Sequence, residues 1–314
     1  MKLKPLIFNY IAYRKSIGEK FRTNGDYLKA FSRSVGDNID IEDVSTEMVA
    51  DFFYGNSPVT SAWFIKYTAL SGFYEYAISR DFINYSPLPP NLPKRPPSFI
   101  PYIYSRAELR QLFKAAFSYQ KNRSHVEPYM INKLLIILYA TGIRLNEALS
   151  LKLGNVDTSQ SLIIVEQTKF YKSRLVPFGK ELAKEISDYL KWRKKQGYSQ
   201  EKNSPFFYGR DNKPLNMNTV ENAFVRIRKK AGVKRNDNAR YQPRLHDLRH
   251  SFAVHRLMSW YQENADVQQL LPVLSVYMGH TYLAATSVYL TMTNDLLQEA
   301  GKKFEKYARE RHNE

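Results

Sequence analysis

A histidine and an arginine, His246 and Arg249, lie three positions apart in the stretch RLHDLRHSFA, residues 244–253. In a helix such residues share one face, with the imidazole one turn before the guanidinium. The apolar residues of the stretch can be buried on the other side: Leu245, Leu248 and Phe252. A basic pair held on a buried helix suits a reaction in which negative charge develops on a phosphate. Because H-x-x-R occurs by chance in many proteins, the pair alone is weak evidence for a catalytic site. Three other stretches of the chain support it.

A second arginine, Arg144, lies in the run ATGIRLNEALSL. Gly142 is predicted to end a buried helix, and Arg144 to open the next one. Glu147, one turn on, could orient the guanidinium. The alternative is a buried Arg–Glu pair that only fixes the packing of two helices.

Two lysines fall at a predicted hairpin. The runs LIIVEQ and SRLVPF are short and rich in β-branched residues, and Thr168–Lys172 separate them. They predict a β-hairpin with a basic tip. Lys169 on such a finger could reach into a DNA groove and donate a proton to a leaving oxygen. Lys172 could do the same, because the sequence leaves the hairpin register open, and a basic turn can also be merely solvated.

A histidine and a tyrosine follow in the stretch MGHTYLAATSVY, residues 278–289. His280 comes after a glycine that breaks the preceding helix, and Tyr289 comes nine residues later. In a chain with 23 tyrosines, any one tyrosine is usually structural. Tyr289 is distinguished by its place in Gly-His-x8-Tyr, which follows the Arg144, hairpin and His246 stretches along the chain. Tyr282 or another tyrosine is the alternative nucleophile.

The charge of the chain indicates the kind of partner. A net charge of +17 argues for a polyanion, usually nucleic acid. The nine Lys and Arg residues between 226 and 249 are one expected region of phosphate contact. The alternative is a ribosome-associated or simply cationic surface. The absence of cysteine excludes disulfides, a thiol nucleophile and cysteine-ligated metal.

The apolar pattern predicts a soluble, unexported protein. The longest fully apolar run, Leu134–Ala140, is far shorter than the roughly 18 residues of a spanning helix. Asn9 and Arg14 interrupt the basic-then-apolar N-terminus before a signal core develops. We expect a bacterial cytoplasmic protein associated with the nucleoid.

The elements that must position these residues divide into two predicted domains. Residues 1–86 are predicted to be helical, with an aromatic stripe that favours a bundle core over a base-stacking surface: Trp63, Tyr67, Leu70, Tyr74 and Ala77. Residues 87–103 hold seven of the 15 prolines and predict a linker. Residues 104–314 are predicted to be mostly helical, with a small β element.

The second domain is predicted to open with a capping box at Ser105–Glu108. Further helices are predicted at about 180–195, 218–231, 246–260 and 264–278. A terminal helix is predicted at about 294–310. Its apolar stripe could dock on a neighbouring copy or on its own domain.

Four stretches, taken in chain order, together resemble a tyrosine recombinase of the phage-integrase superfamily: ATGIRLNEALSL, TKFYKSRLVPF, HDLRHSFA and MGHTYLAATSVY. The resemblance covers about residues 105–292, whereas the N-terminal part resembles the core-binding domain of the family only in size, helicity and position. Thirty residues separate Arg249 from His280. Together with the sequence LPVLSVYMGH, this insertion resembles transposon-encoded integrases.

The resemblance implies a mainly α, two-domain clamp around duplex DNA, acting as a tetramer on two DNA sites. It implies that Tyr289 attacks a phosphodiester to leave a 3′-phosphotyrosine, so that bond energy is kept and neither ATP, another cofactor nor a metal is needed. Arg144 and Arg249 would clamp the non-bridging oxygens. Lys169 would protonate the 5′-oxygen.

The remaining roles are also implied by the resemblance. His246 would assist proton transfer, His280 would hydrogen-bond the phosphate, and Glu147 would support the arginine. One rival function is type IB topoisomerase-like cleavage and resealing of one duplex. The other rival is an accessory DNA-binding protein that does no chemistry.

Overall fold

The computed structural model describes residues 1–55, 59–96, 99–118, 124–166, 173–237, 239, 241–292, 296–302 and 305. The chain divides into two compact units, Met1–Phe99 and Ile100–Glu314. The division falls inside the proline-rich stretch for which a linker was predicted.

The N-terminal unit is a bundle of helices. Ser45 accepts a hydrogen bond from the Met48 amide and so caps the third helix. A 3-10 turn, Ile41–Asp43, precedes this helix. The helices are α1 (Leu3–Ser16), α2 (Arg22–Val35), α3 (Thr46–Tyr54) and α4 (Ser61–Ile78).

The aromatic stripe of α4 lies in the core of this unit. Trp63, Leu70, Tyr74 and Ala77 are each at most 2% exposed, and Tyr67 packs against them partly buried. The prediction of a bundle core rather than a stacking surface is therefore confirmed for these residues.

The C-terminal unit is mainly helical with one small sheet, as predicted. Its helices include those expected near 180, 218, 246 and 264, although α11 begins three residues late because Asp266 caps it. The helices are α5 (Arg106–Phe117), α6 (Pro128–Thr141), α7 (Leu145–Leu149), α8 (Lys180–Lys195), α9 (Met217–Lys230), α10 (Asp247–Gln262), α11 (Val267–Met278) and α12 (Ala284–Ser287).

The sheet has three antiparallel strands in the order β1-β2-β3. The predicted hairpin is present as β2 (Leu162–Val165) and β3 (Arg174–Pro177), with Val165 opposite Arg174. Strand β1 (Val156–Asp157) was not expected from the sequence and pairs with β2. The predicted basic tip, with Lys169 and Lys172, lies outside the described residues.

Helix α6 is the centre of the main core of this unit. It begins at a proline after the cap Glu127, whose carboxylate accepts from two amides, and it ends at Gly142 with φ +61°. Glycine adopts this left-handed conformation without steric cost. The predicted capping box of Ser105 and Glu108 opens α5.

A second apolar cluster forms around α10 and α11 and includes Tyr289 and Leu296. Residues 296–302 are helical, and the rest of the predicted terminal helix, apart from residue 305, lies outside the described residues. Of the helices in the described part of the chain, none combines the length and apolar character that crossing a bilayer requires.

Candidate active site

Three arginines from distant parts of the chain meet at the C-terminal end of α11. The last carbonyl groups of a helix have no intrahelical partner and carry the negative end of its dipole, so they attract guanidinium groups. The bonds are Arg174 Nε to Tyr277 O at 2.9 Å, Arg249 Nη2 to Met278 O at 2.7 Å, and Arg144 Nη2 to Gly279 O at 3.1 Å.

Arg249 is the most deeply placed of the three and is 3% exposed. It lies in the first turn of α10, and its second nitrogen donates to the carbonyl of Gly142. The guanidinium thus links the end of α6 to the end of α11. Burial, together with the positive charge of Arg144, lowers the pKa of Arg249 to about 10, so the group stays charged at neutral pH.

Arg144 lies at the more open side of the site. It directly precedes α7, as predicted, and its side chain is 37% exposed. Glu147 accepts from both the Arg144 amide (2.8 Å) and its Nη1 (2.9 Å), so the carboxylate orients this residue from two directions.

Glu147 has a second basic partner that the sequence did not indicate. Arg174, the first residue of β3, donates to both carboxylate oxygens, at 3.0 and 2.7 Å. Burial works to raise the pKa of Glu147, but the bonds and charge of Arg174, followed by those of Arg144, outweigh it and lower the pKa to about 2. Glu147 is therefore ionised at neutral pH.

Four aromatic rings form a row across the site. The ring centres of His246 and His250 are 5.0 Å apart, those of His250 and Tyr289 are 5.7 Å apart, and those of Tyr289 and His280 are 6.1 Å apart. His250 was not among the predicted residues. The structure brings the two predicted histidines and the predicted tyrosine to one place.

All three imidazoles are neutral at neutral pH. Desolvation by the surrounding protein, reinforced by nearby positive groups such as Arg249, lowers the pKa of each to about 4. His246 is exposed to solvent although protein surrounds much of its ring. His280 Nδ1 lies 2.7 Å from the hydroxyl of Thr286, a fully buried residue.

Tyr289 lies in the 3-10 turn Val288–Thr291 and is 3% exposed. Burial raises the pKa of its hydroxyl, and the charges of Arg249 and Arg144 partly oppose that rise. The phenol is therefore protonated at neutral pH and lies within the field of the two arginines. Tyr282, the alternative, is 76% exposed and outside this cluster.

The arrangement suits an oxyanion chemically. The site holds three guanidiniums and one carboxylate, which leaves an excess of positive charge beside a tyrosine hydroxyl and neutral imidazoles. Planar guanidinium groups match the oxygens of a phosphate better than point charges do. Within the described residues, no group of three or more acidic or histidine side chains could hold a metal ion.

Comparison with known proteins identifies the family. Residues 105–295 match the phage integrase family. The chain is also 31% identical over 306 residues to the putative integrase/recombinase y4rB of Sinorhizobium fredii, covering 96% of this chain and 97% of that protein. The chain belongs to the phage integrase family.

Other members agree with this assignment. The tyrosine recombinase XerC of Pediococcus pentosaceus is 24% identical, with 97% of this chain and 98% of that protein covered. The predicted resemblance is confirmed, and this family member is a tyrosine-type, site-specific DNA recombinase that cuts and rejoins DNA.

Solved structures share the fold of this integrase-family chain. The Tn1549 transposon integrase in complex with transposon right end DNA has a TM-score of 0.71 at 16% identity, covering 98% of this chain and 100% of that one. A lambda integrase tetramer bound to a Holliday junction has a TM-score of 0.67 at 16% identity, covering 94% and 78%. The predicted fold class is thereby confirmed.

Proposed function

We propose that the protein recombines two DNA sites through a 3′-phosphotyrosine formed on Tyr289. The observation that carries this assignment is that Arg144 and Arg249 meet at the end of α11 with the Tyr289 hydroxyl within the field of both. Tyrosine is the only oxygen nucleophile in this group, and its two arginine neighbours are the groups that bind a phosphodiester most specifically.

In the proposed mechanism, Arg144 and Arg249 hydrogen-bond the non-bridging oxygens of the scissile phosphate. Negative charge on these oxygens grows as the tyrosine oxygen approaches phosphorus, so the two guanidiniums stabilise the transition state more than the ground state. The bond between Tyr289 and phosphorus forms while the bond from phosphorus to the 5′-oxygen breaks. The reverse reaction with another strand's 5′-hydroxyl completes the exchange without ATP.

Two protons must move in each step: one leaves the phenol, and one reaches the leaving 5′-oxygen. The phenol loses its proton, and His246, which is neutral and open to solvent, assists this transfer from the far side of His250. When the Thr286 hydroxyl donates to Nδ1 of His280, the ring carries its proton on Nε2 and can donate it in a hydrogen bond to a phosphate oxygen. The leaving 5′-oxygen gains a proton from Lys169 or Lys172, a role that rests on the family resemblance.

The partners of this reaction are double-stranded DNA and further copies of the chain. The net charge of +17 supports binding to backbone phosphates. The basic residues between 226 and 249 support it too, except for Arg228, Arg235 and Arg249, which are buried. Lambda integrase has been solved both as a dimer on a core site and as a tetramer on a Holliday junction. We infer a tetramer on two sites, with residues 1–86 as a DNA-binding domain, 87–103 as a linker and the terminal helix docked on a neighbour. Such a protein would work on the nucleoid.

Plasmids carrying one or two copies of the DNA that flanks the coding region test this function. A recombinase converts the two-site plasmid into deletion or inversion products and leaves a one-site plasmid without exchange. Relaxation of both plasmids without exchange would favour the topoisomerase-like rival. Binding to the flanking DNA without any strand cleavage would favour the non-catalytic rival.

A further inference from the structure

The pair of Glu147 and Arg174 poses an electrostatic question for a phosphate-binding site. Glu147 is ionised and its side chain is 10% exposed, directly beside Arg144. A carboxylate in this position repels an incoming phosphate, and at low solvent exposure the repulsion is poorly screened. A site built for an anion should therefore either lack this carboxylate or neutralise it.

Arg174 supplies that neutralisation. Its side chain is 9% exposed, and two of its nitrogens occupy both oxygens of Glu147. Its third nitrogen donates to the carbonyl of Tyr277 at 2.9 Å. The guanidinium also lies against Gly279, where an added Cβ would be 2.8 Å from Nη1. The guanidinium of Arg174 is thus held by Glu147, by the carbonyl of Tyr277 and by its contact with Gly279.

The same contacts determine what Arg144 can do. Glu147 accepts bonds from Arg174 on both oxygens, and from Arg144 it accepts one side-chain bond and one backbone bond. The other bond from Arg144 goes to the carbonyl of Gly279, which leaves further N–H groups of this half-exposed guanidinium for a ligand. Without Arg174, Glu147 would turn its full charge towards Arg144.

We propose that Arg174 is a positioning residue that neutralises Glu147, so that Arg144 remains available to bind the scissile phosphate. This inference rests on the proposed function. It adds the base of the β2–β3 hairpin to the arginine clamp, because Arg174 is the first residue of β3. Arg174 acts through Glu147 and touches no reacting atom.

The experiment measures single-turnover formation of the covalent protein–DNA adduct on nicked duplexes made from the DNA flanking the coding region. With protein in excess, the first-order rate measures how well the arginines stabilise the transition state. The amplitude measures the fraction of protein that is folded and bound to DNA. Arg174→Gln should lower the rate by about 10- to 100-fold, since misplacing a binding group has effects of this size. The amplitude should change little.

A second substitution separates charge neutralisation from simple packing. Adding Glu147→Gln to Arg174→Gln removes the unbalanced carboxylate, so the double variant should recover several-fold in rate over the single variant. A packing role alone predicts a further loss, because two buried contacts are then missing. Arg174→Lys keeps the positive charge but loses the planar guanidinium that bonds both oxygens of Glu147. Its first-order rate should lie between those of the wild type and Arg174→Gln.

Arg193→Gln is the matched control. Arg193 is fully buried and donates to loop carbonyls of Ser199 and Pro205, away from the arginine cluster. It should lower thermal stability while leaving the first-order rate unchanged. A wild-type rate in Arg174→Gln, or a double variant slower than the single one, would overturn the inference. No adduct with wild-type protein would instead overturn the proposed function.

Discussion

The side chain of Arg249 donates to the carbonyl of Gly142, which joins the first turn of α10 to the end of α6. The same guanidinium donates to Met278 at the end of α11. A residue proposed to bind the scissile phosphate is thus also a structural link between three helices. Both functions follow from the same group, because a guanidinium has more donors than one anion can use.

Replacing Arg249 with alanine should therefore affect cleavage and stability together. We expect adduct formation to fall by about 100- to 1,000-fold, as for other groups that stabilise charge in a transition state. Affinity for DNA should stay within about threefold, because many phosphate contacts remain. Two buried carbonyls lose a partner, at about 1–3 kcal/mol each, which calorimetry would detect. A parallel collapse of DNA binding would make Arg249 a docking residue.

The turn after α6 makes a second prediction. Gly142 has φ +61°, and an added Cβ would lie 2.4 Å from Cδ1 of Phe252. Gly142→Ala should lower the free energy of unfolding by about 2–4 kcal/mol, from left-handed strain together with overpacking. Gly232, with φ +69° and no neighbouring atom within 4 Å, is the control. Gly232→Ala should cost only the backbone strain of about 1–2 kcal/mol. Equal losses in the two variants would contradict the close packing of Phe252 on this turn.

Thr286 gives a prediction about the tautomer of His280. The Thr286 hydroxyl lies 2.7 Å from Nδ1, which leaves the proton on Nε2, facing the site, when the hydroxyl donates. Thr286→Val should slow adduct formation by about tenfold, because the ring loses the contact that orients it. Thr286→Ser keeps the hydroxyl and should retain most of the rate. If valine and serine variants cleave equally well, the hydroxyl does not orient His280.

The lowered histidine pKa values predict how stability depends on pH. Four imidazoles, those of His246, His250, His255 and His280, have pKa values of about 4 instead of 6.5. Below pH 6.5 these imidazoles are protonated in the unfolded chain, whereas in the folded chain they are protonated only near pH 4. Falling pH therefore favours the unfolded state. The melting temperature should fall throughout that window. A melting temperature that is constant from pH 7 to pH 4.5 would contradict these shifts.

The lowered histidine pKa values also predict how the rate of adduct formation depends on pH. Because these imidazoles are already neutral, no histidine should titrate in the rate of adduct formation between about pH 6 and pH 8. A sigmoidal rise centred near pH 6.5 would show that at least one of them carries its proton with an ordinary pKa.

Much of the site could be predicted because its residues lie in short sequence patterns that determine helix ends and helix faces. Gly142 and Arg144 mark a helix end and a helix start, and His246 and Arg249 fall on one turn of a helix with an apolar opposite side. These signals depend on near neighbours in the sequence, where spacing determines geometry.

Arg174 could not be found in this way. Its partner Glu147 is 27 residues away, and its other contact, Tyr277, is 103 residues away. In the sequence Arg174 is one of several basic residues near a hairpin, and such residues are usually solvated. The alternation of β3 offered a weak signal, since Arg174 and the buried Val176 share one face of the strand. The carbonyls at the end of α11 are backbone groups and carry no side-chain signal.

Covalent trapping on a nicked duplex, comparing wild type with Tyr289→Phe, tests the central claim most directly. The duplexes are built from DNA flanking the coding region, with the nick placed so that the short cleaved strand is lost and religation cannot occur. We predict a 3′-linked adduct with the wild-type protein and none with Tyr289→Phe, while Tyr282→Phe behaves as wild type. An adduct that persists in Tyr289→Phe would contradict the assignment of the nucleophile.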